Sequence, residues 1–250
     1  MIKNLILFVL VILGVLFSSY KVYPQGFNWK IDSRMPHSIP DLYFGINATY
    51  GLLNQYGPFN LREDFIECCN FDEGNGHSTE FGLSAEYWYD GLTAFNFTVG
   101  YKNQKSDFVI QSELPTRNGS FITNYEFVST INYLSLNFGA KHRIYNSHFS
   151  VGGGIGINYL INSSGKYTEQ AISDNVPFEK RILYGGNINE LNSLIVNPYL
   201  FVGYDVQLTY GYYVSPYINL AYTVNSLVDE ESWRVLSLRF GLRLFRFFNI

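Results

Sequence analysis

The sequence predicts an all-β protein: an eight-stranded antiparallel up-and-down transmembrane β-barrel that follows an N-terminal signal peptide. Apolar and polar residues alternate with a period of two along eight segments. The connections between these segments are alternately short and long. After the N-terminal region, no stretch reaches the roughly 18 apolar residues of a membrane-spanning helix.

The composition favours a boundary between lipid and water. Aromatic residues make up 18% of the 250 residues, with 21 Tyr and 21 Phe against 2 Met. Tyrosine combines an apolar ring with a polar hydroxyl group, which suits a membrane–water interface. The net charge of -4 gives no reason to expect a nucleic-acid partner. The length suits one domain.

The N-terminus has the features of an export signal. Lys3 precedes an unbroken apolar run over residues 5–17, and small residues follow at Ser18 and Ser19. This run is short for a bilayer span, which takes about 20 residues. We therefore expect a signal peptide in residues 1–25 with an uncertain cleavage site, a periplasmic extension over 26–40 and a barrel over 41–250; an uncleaved signal anchor is the alternative.

Each of the eight segments has one apolar and one polar face. In the first segment, residues 41–53, Leu42, Phe44 and Ile46 share a face, whereas Tyr43, Gly45 and Asn47 share the other. In a membrane β-barrel, the apolar face would form the outer surface in contact with lipid, and the face with glycines and polar residues would fill the interior. The other segments with this pattern are 80–90, 93–102, 133–141, 149–159, 199–206, 213–222 and 236–244.

The connections predict how the barrel is threaded. Short turns are expected at 90–92, about 143–147 and about 207–211, and long polar loops at 55–77, 103–125, 161–193 and 224–234. This alternation is typical of an up-and-down barrel with both termini on the side of the short turns. An even number of strands also closes the sheet, which leaves no unpaired edge in lipid.

Seven charged residues fall on the predicted inner face. The interior of an eight-stranded barrel is just filled by side chains, so buried charges there must pair with one another. A three-residue turn at 90–92 also places Glu80 opposite Lys102. We expect a structural network of salt bridges, with a gated conduction path as the alternative. The seven residues are Glu80, Glu86, Lys102, Lys141, Asp205, Arg239 and Arg243.

Cys68 and Cys69 are adjacent in the first predicted long loop, among acidic residues. Free thiols do not persist in an oxidising cell envelope. The possibilities are a vicinal disulfide, intermolecular disulfides or a site for a soft metal; a local disulfide is favoured. His77 is the one nearby candidate for a further metal ligand, so neither metal nor cofactor is expected.

With these features, residues 40–250 resemble the OmpA/OmpX-type outer-membrane β-barrel domains, including the PorT-like barrels. The last strand, SLRFGLRLFRFF, resembles the C-terminal signal that the barrel-assembly machinery reads, although Arg246 stands where an aromatic residue is expected. The resemblance implies a Gram-negative outer membrane, periplasmic termini and four extracellular loops. It implies as partners the membrane lipid, lipopolysaccharide, the assembly machinery and an envelope protein.

Four functions are compatible with such a barrel. The first is a non-enzymatic protein whose surface loops have a structural, adhesive or partner-binding role. The second is an accessory component of an envelope export or assembly machine, as the PorT-like resemblance implies. A narrow channel and a lipid A-modifying enzyme are less favoured. His148-Phe149-Ser150 is similar to the His-x-Ser element of lipid A deacylases, but Val151 replaces the asparagine of that element and His148 adjoins a short turn.

Overall fold

The computed structural model describes residues 41–59, 71–89, 92–116, 119–144, 147–173, 176–177, 179–188, 190–209, 212–228 and 232–248. The predicted signal peptide, Cys68 and Cys69 lie outside these residues. The strands are β1 (Asp41–Phe59), β2 (Phe71–Trp88), β3 (Thr93–Thr116), β4 (Gly119–Arg143), β5 (Phe149–Ser173), β6 (Val176–Pro177), β7 (Arg181–Gly186), β8 (Leu194–Tyr204), β9 (Val206–Thr209), β10 (Tyr212–Tyr222) and β11 (Arg234–Phe248).

The strands form a closed antiparallel ring. The hydrogen-bonded order runs from β11 through β1, β2, β3, β4, β5 and β8 to β10, and β10 pairs again with β11. β9 continues β8 after a break at Asp205, and β6 and β7 pair with the far end of β5. With β8 and β9 counted as one, and β6 and β7 as additions beside β5, the ring has eight strands in up-and-down order. This confirms the predicted eight-stranded antiparallel barrel.

The two faces of the ring are as the alternation predicts. Phe44, Leu83 and Leu200 expose 46%, 64% and 68% of their surface, whereas inward Asn47 and Ser84 are buried. Soluble monomers rarely expose so continuous an apolar surface, so the outer band suits lipid. Within the part of the chain that the structure describes, no helix has the length and apolar character needed to cross a bilayer.

Three of the predicted long loops are wrong in extent, because the strands continue into them. Residues 103–116 and 119–125 are strand: β3 and β4 pair without interruption up to Thr116 and Gly119. In the segment 55–77, β1 extends to Phe59 and β2 begins at Phe71. In the segment 161–193, β5 extends to Ser173 and β6 and β7 pair with it. The short turn predicted at about 207–211 is also partly strand, since β9 reaches Thr209.

The period of two persists in these extensions, but the polarity of the two faces is reversed. On β3 beyond the apolar band, Lys105 and Asp107 on the outward face are exposed, whereas Phe108 on the inward face is buried. Phe127 of β4 lies opposite Phe108 and is also buried. Water replaces lipid outside this part of the barrel, so the apolar residues turn inward. The barrel thus has a lipid-type part and a water-type part along the same strands.

The apolar band gives a direct test of the lipid contact. Replacing outward Leu83 with arginine is expected to destabilise folding into lipid vesicles by about 2–4 kcal/mol, because a charge is placed on the lipid face. Asn75 lies outward on the same strand beyond the band, so Asn75→Arg is the matched control and should change little. Urea titrations of both variants measure the difference; equal effects would contradict a lipid-facing band.

Candidate functional site

An ionic cluster occupies the interior at the end of the barrel that carries the short turns, called the turn end below. Lys141 Nζ lies 2.8 Å from Glu86 Oε2 and 3.3 Å from Asp205 Oδ2. Arg143 Nη2 donates to Asp205 Oδ2 at 3.0 Å. All four residues are at most 1% exposed. Two cations therefore neutralise two carboxylates, as burial of charge requires.

Aromatic rings enclose this cluster. Lys141 Nζ and Arg143 Cζ lie 4.9 and 4.4 Å from the centroid of the Trp88 ring. The Tyr213 hydroxyl group donates to Glu86 Oε1. Tyr213 also stacks on Phe245 at 5.0 Å between centroids. These contacts stabilise the desolvated cations through the ring quadrupoles and close the turn end with packed side chains.

Arg143 belongs to the ionic cluster, and the sequence interpretation missed it. The predicted inward face of the segment 133–141 ends at Lys141, because a turn is expected at about residues 143–147. The alternation itself continues to Arg143, which is the last residue of β4 and is 1% exposed. Continuing the period of two by one more inward position, from Lys141 to residue 143, predicts a buried place for Arg143.

The middle of the interior holds Glu80, Lys102, Arg239 and Arg243, all buried. Glu80 lies opposite Lys102 in the register, but its ion-pair partner is Arg239, whose Nη1 is 3.7 Å from Glu80 Oε2. Asn137 Nδ2 donates to the same carboxylate at 3.0 Å. Lys102 Nζ instead lies 5.6 Å from the centroid of the Tyr133 ring.

Arg243 stacks on aromatic rings. Its guanidinium carbon lies 4.2 Å from the centroid of Tyr217 and 5.3 Å from that of Phe201. The Tyr217 ring can take this place because residue 241 is glycine: a Cβ there would be 2.2 Å from Tyr217 Cζ. Two small cavities in this middle zone each have room for about one water molecule.

The opposite end of the barrel, called the loop end below, has an apolar interior, which corrects the expectation of a polar lumen throughout. Phe71, Phe108 and Phe127 pack with centroids 5.9–6.0 Å apart, and Trp233 meets Phe108 edge-on at 5.3 Å. We call this the loop-end core; its buried members are Leu53, Phe71, Phe108, Tyr125, Phe127, Ile131, Tyr133, Tyr167, Ile188, Leu191, Ile195, Leu227, Val228, Trp233 and Val235.

Two connecting segments fold inward over this core. Leu191 pairs with Val228 in an isolated β-bridge, and the backbone N–H of Asn192 donates to the carbonyl oxygen of Leu227 at 2.8 Å. Trp233 Nε1 donates to Gln55 Oε1 at 2.5 Å, so its one polar atom is satisfied. Leu191, Leu227, Val228 and Trp233 are all buried. The loop end is thus closed by packed side chains, as the turn end is.

The His-x-Ser element does not form a shared site in the structure. His148 Nδ1 is hydrogen-bonded to the Asp205 carbonyl oxygen at 2.9 Å, and its ring packs against Tyr204. Ser150 points into the interior and is completely buried. In the described ranges, no group of three or more His, Cys, Asp or Glu side chains is arranged to hold a metal ion.

Fold and interior together define a closed antiparallel β-barrel with an apolar outer band, ion-paired turn end and apolar loop-end core. No family model matches the chain, and a search of curated proteins finds no match. Solved structures that align with it include Neisserial surface protein A (12% identity, 80% of this chain, 96% of that chain, TM-score 0.38). Others are AlkL in lipid bilayers (14%, 84%, 90%, 0.44) and Ail of Yersinia pestis (12%, 81%, 97%, 0.31). At these identities and TM-scores, the similarities assign no function to this chain.

Proposed function

We propose that this chain is an integral outer-membrane β-barrel of the OmpA/OmpX-like kind, without enzymatic activity, whose loop end is a preformed adhesive or partner-binding surface. The observation that carries the proposal is the projection of β2, β3, β4 and β5 beyond the apolar band, around the loop-end core. Such a surface is a folded structure, in contrast to the long loops that the sequence alone predicts.

The dimensions of the outer band support a membrane location. On β1 it runs from Leu42 to Leu52, about 33 Å of strand, or ~25 Å along the normal at the usual tilt of about 40°. This matches the apolar band of outer-membrane barrels, about 25 Å tall. The closed ring satisfies the backbone hydrogen bonds that lipid cannot. In the orientation of such barrels, the turn end and both termini are periplasmic and the loop end is extracellular, beside lipopolysaccharide.

The loop end has features of a binding surface. β3 continues from Asn103 to Thr116, ~45 Å of strand, and β4 returns antiparallel to it. Apolar Val109, exposed by 62%, lies on the same outward face as Lys105 and Asp107. Non-obligate interfaces are about as apolar as the rest of a protein surface, so a face of this composition is compatible with partner binding. Because the described parts of these two strands are already paired, a partner would bind them with little loss of conformational entropy.

The filled interior supports a binding role over a conducting one. The turn end is closed by the ionic cluster with Trp88 and Tyr213, and the loop end by Phe108, Phe127 and Trp233. A solute would have to displace buried ion pairs at one end and an apolar core at the other. Both displacements cost several kcal/mol.

Shortening the β3–β4 hairpin tests the proposal. In the variant, residues 112–123 are deleted and the paired residues Gln111 and Asn124 are joined by an Asn-Gly turn, which leaves Phe108 and Phe127 in place. Cells that make the variant should keep the heat-modifiable barrel at the surface. Their autoaggregation and their retention on immobilised matrix proteins should fall at least tenfold.

The matched control is a two-residue Asn-Gly insertion between Tyr89 and Leu92, in the β2–β3 connection at the opposite end of β3. This insertion should leave adhesion unchanged. If cells with the full chain adhere no better than cells without it, the adhesive proposal is wrong. Loss of secreted proteins from a deletion strain would then favour the export or assembly role.

A further inference from the structure

The buried charges of the described interior do not balance. Five cations and three carboxylates are buried there. At the turn end, Lys141 and Arg143 match Glu86 and Asp205. In the middle zone, a single carboxylate is accompanied by three cations: the residues are Glu80, Lys102, Arg239 and Arg243. An excess of positive charge in a desolvated interior is costly unless a counter-charge is present.

Arg243, like Lys102, forms no ion pair with a carboxylate of the described residues. It is 5% exposed and lies against the rings of Tyr217 and Phe201. None of the carboxylates in the described ranges pairs with it, and its Nε has no hydrogen-bond partner among the described residues. Arginine keeps its charge under all conditions that proteins meet. Its ring contacts stabilise the charge but do not neutralise it.

A polar cavity adjoins this arginine. Its lining includes Arg239, Arg243, Asn219 and Tyr217 and also the Glu80 carboxylate, and it has room for about one water-sized sphere. Asn219 is 6% exposed, and its Oδ1 has no hydrogen-bond partner among the described residues. Exchanging the positions of its Oδ1 and Nδ2 atoms would place an N–H donor where the unpartnered oxygen stands. Two guanidinium groups and one carboxylate therefore line this small space, which leaves a net charge of one positive unit beside the Asn219 amide group.

We propose that one small monovalent inorganic anion, chloride in ordinary media, occupies this cavity as a structural counter-ion. Arg239 and Arg243 supply the positive charge, and the Asn219 amide group supplies a further donor. The cavity is too small for a phosphate, a sulfate or a carboxylate ligand. Glu80 already neutralises part of the charge of Arg239, so the anion serves mainly Arg243. The site does not depend on what the loop end binds.

Bromide, which replaces chloride and scatters anomalously, tests the location directly. Crystals of the purified full chain grown in sodium bromide should show one anomalous peak in the interior, within about 3.5 Å of guanidinium nitrogens of Arg239 or Arg243. An interior without such a peak, or with a peak only beside Lys102, would overturn the assignment.

The stability of the purified barrel in detergent gives a second readout. At constant ionic strength set with sodium gluconate, a tenfold increase in chloride above its dissociation constant should raise the Tm by about 3–5 °C, because only the folded state holds the ion. Arg243→Gln should abolish this chloride-specific shift. Arg246→Gln, an exposed arginine on the same strand, is the control and should retain it. Equal Tm values for the parent chain in chloride and gluconate would contradict the proposal, whether or not the Arg243 variant folds.

Discussion

Replacing Lys141 with methionine is expected to lower the free energy of unfolding by about 3–5 kcal/mol. Lys141 is completely buried and lies between Glu86 and Asp205. Methionine fills a similar volume without charge, so the effect is mainly electrostatic. Asp205 would keep Arg143, whereas Glu86 would keep only the hydroxyl group of Tyr213. A buried carboxylate would thus lose its counter-charge, and urea titration of the barrel in lipid vesicles measures the loss.

A second substitution separates charge from packing. In the double variant Lys141→Met with Glu86→Gln, the unpaired carboxylate is absent, and at least half of the lost stability should return. Lys105→Met, on the exposed outer face of β3, is the matched control and should change stability by less than about 0.5 kcal/mol. If the double variant is no more stable than the single one, the ionic cluster is not what holds the turn end together.

Replacing Trp233 with alanine is expected to cost about 3–5 kcal/mol, because it opens a large cavity in the loop-end core. Trp233 is completely buried, packs edge-on against Phe108 and donates a hydrogen bond to Gln55. The damage should be greatest at the loop end, where the connecting segments fold over the core. Limited proteolysis of intact cells should then cut the loop end faster, while the barrel keeps its heat-modifiable mobility.

The control for this prediction lies on the surface of the same region. Ile182 of β7 is 59% exposed, so Ile182→Ala should leave both protease resistance and stability nearly unchanged. Equal proteolysis of the parent chain and the Trp233 variant would mean that the loop-end core does not order this region. Complete loss of the inserted barrel would mean that the loop end and the membrane part fold as one cooperative unit.

The sequence pattern predicts most of the barrel because one physical rule covers the whole outer surface. Lipid requires apolar residues at every second position, so Phe44, Leu83 and Leu200 could be placed on the outside from the alternation alone. The opposite face of the same strands then contains Glu80, Glu86, Lys102, Lys141, Asp205, Arg239 and Arg243, all of which the structure places in the interior. For Cys68 and Cys69 the prediction remains a prediction, since they lie outside the described residues.

The same rule gives a wrong prediction where the barrel leaves the lipid and enters water. Beyond the apolar band the alternation continues with its polarity reversed, so the pattern predicts a polar loop over residues 103–125, whereas Phe108 and Phe127 lie on the inner face of two paired strands. The partners in the ion pairs could not be predicted from the pairing of neighbouring strands either. Lys141 on β4 reaches Glu86 on β2 and Asp205 beyond β8, across the interior. Such contacts depend on the closure and curvature of the ring.

The fold class and the lipid-facing side of each strand can be predicted from the sequence pattern, because both follow from a period of two and from the apolar environment outside the barrel. Three further features follow only from the closed barrel: Glu80 pairs with Arg239, the strands extend around an apolar core at the loop end, and Arg243 has no carboxylate partner among the described residues. These depend on distances across the closed interior. The register and closure of all eight barrel strands together set these distances, so they cannot be predicted from the residue pattern of any single strand.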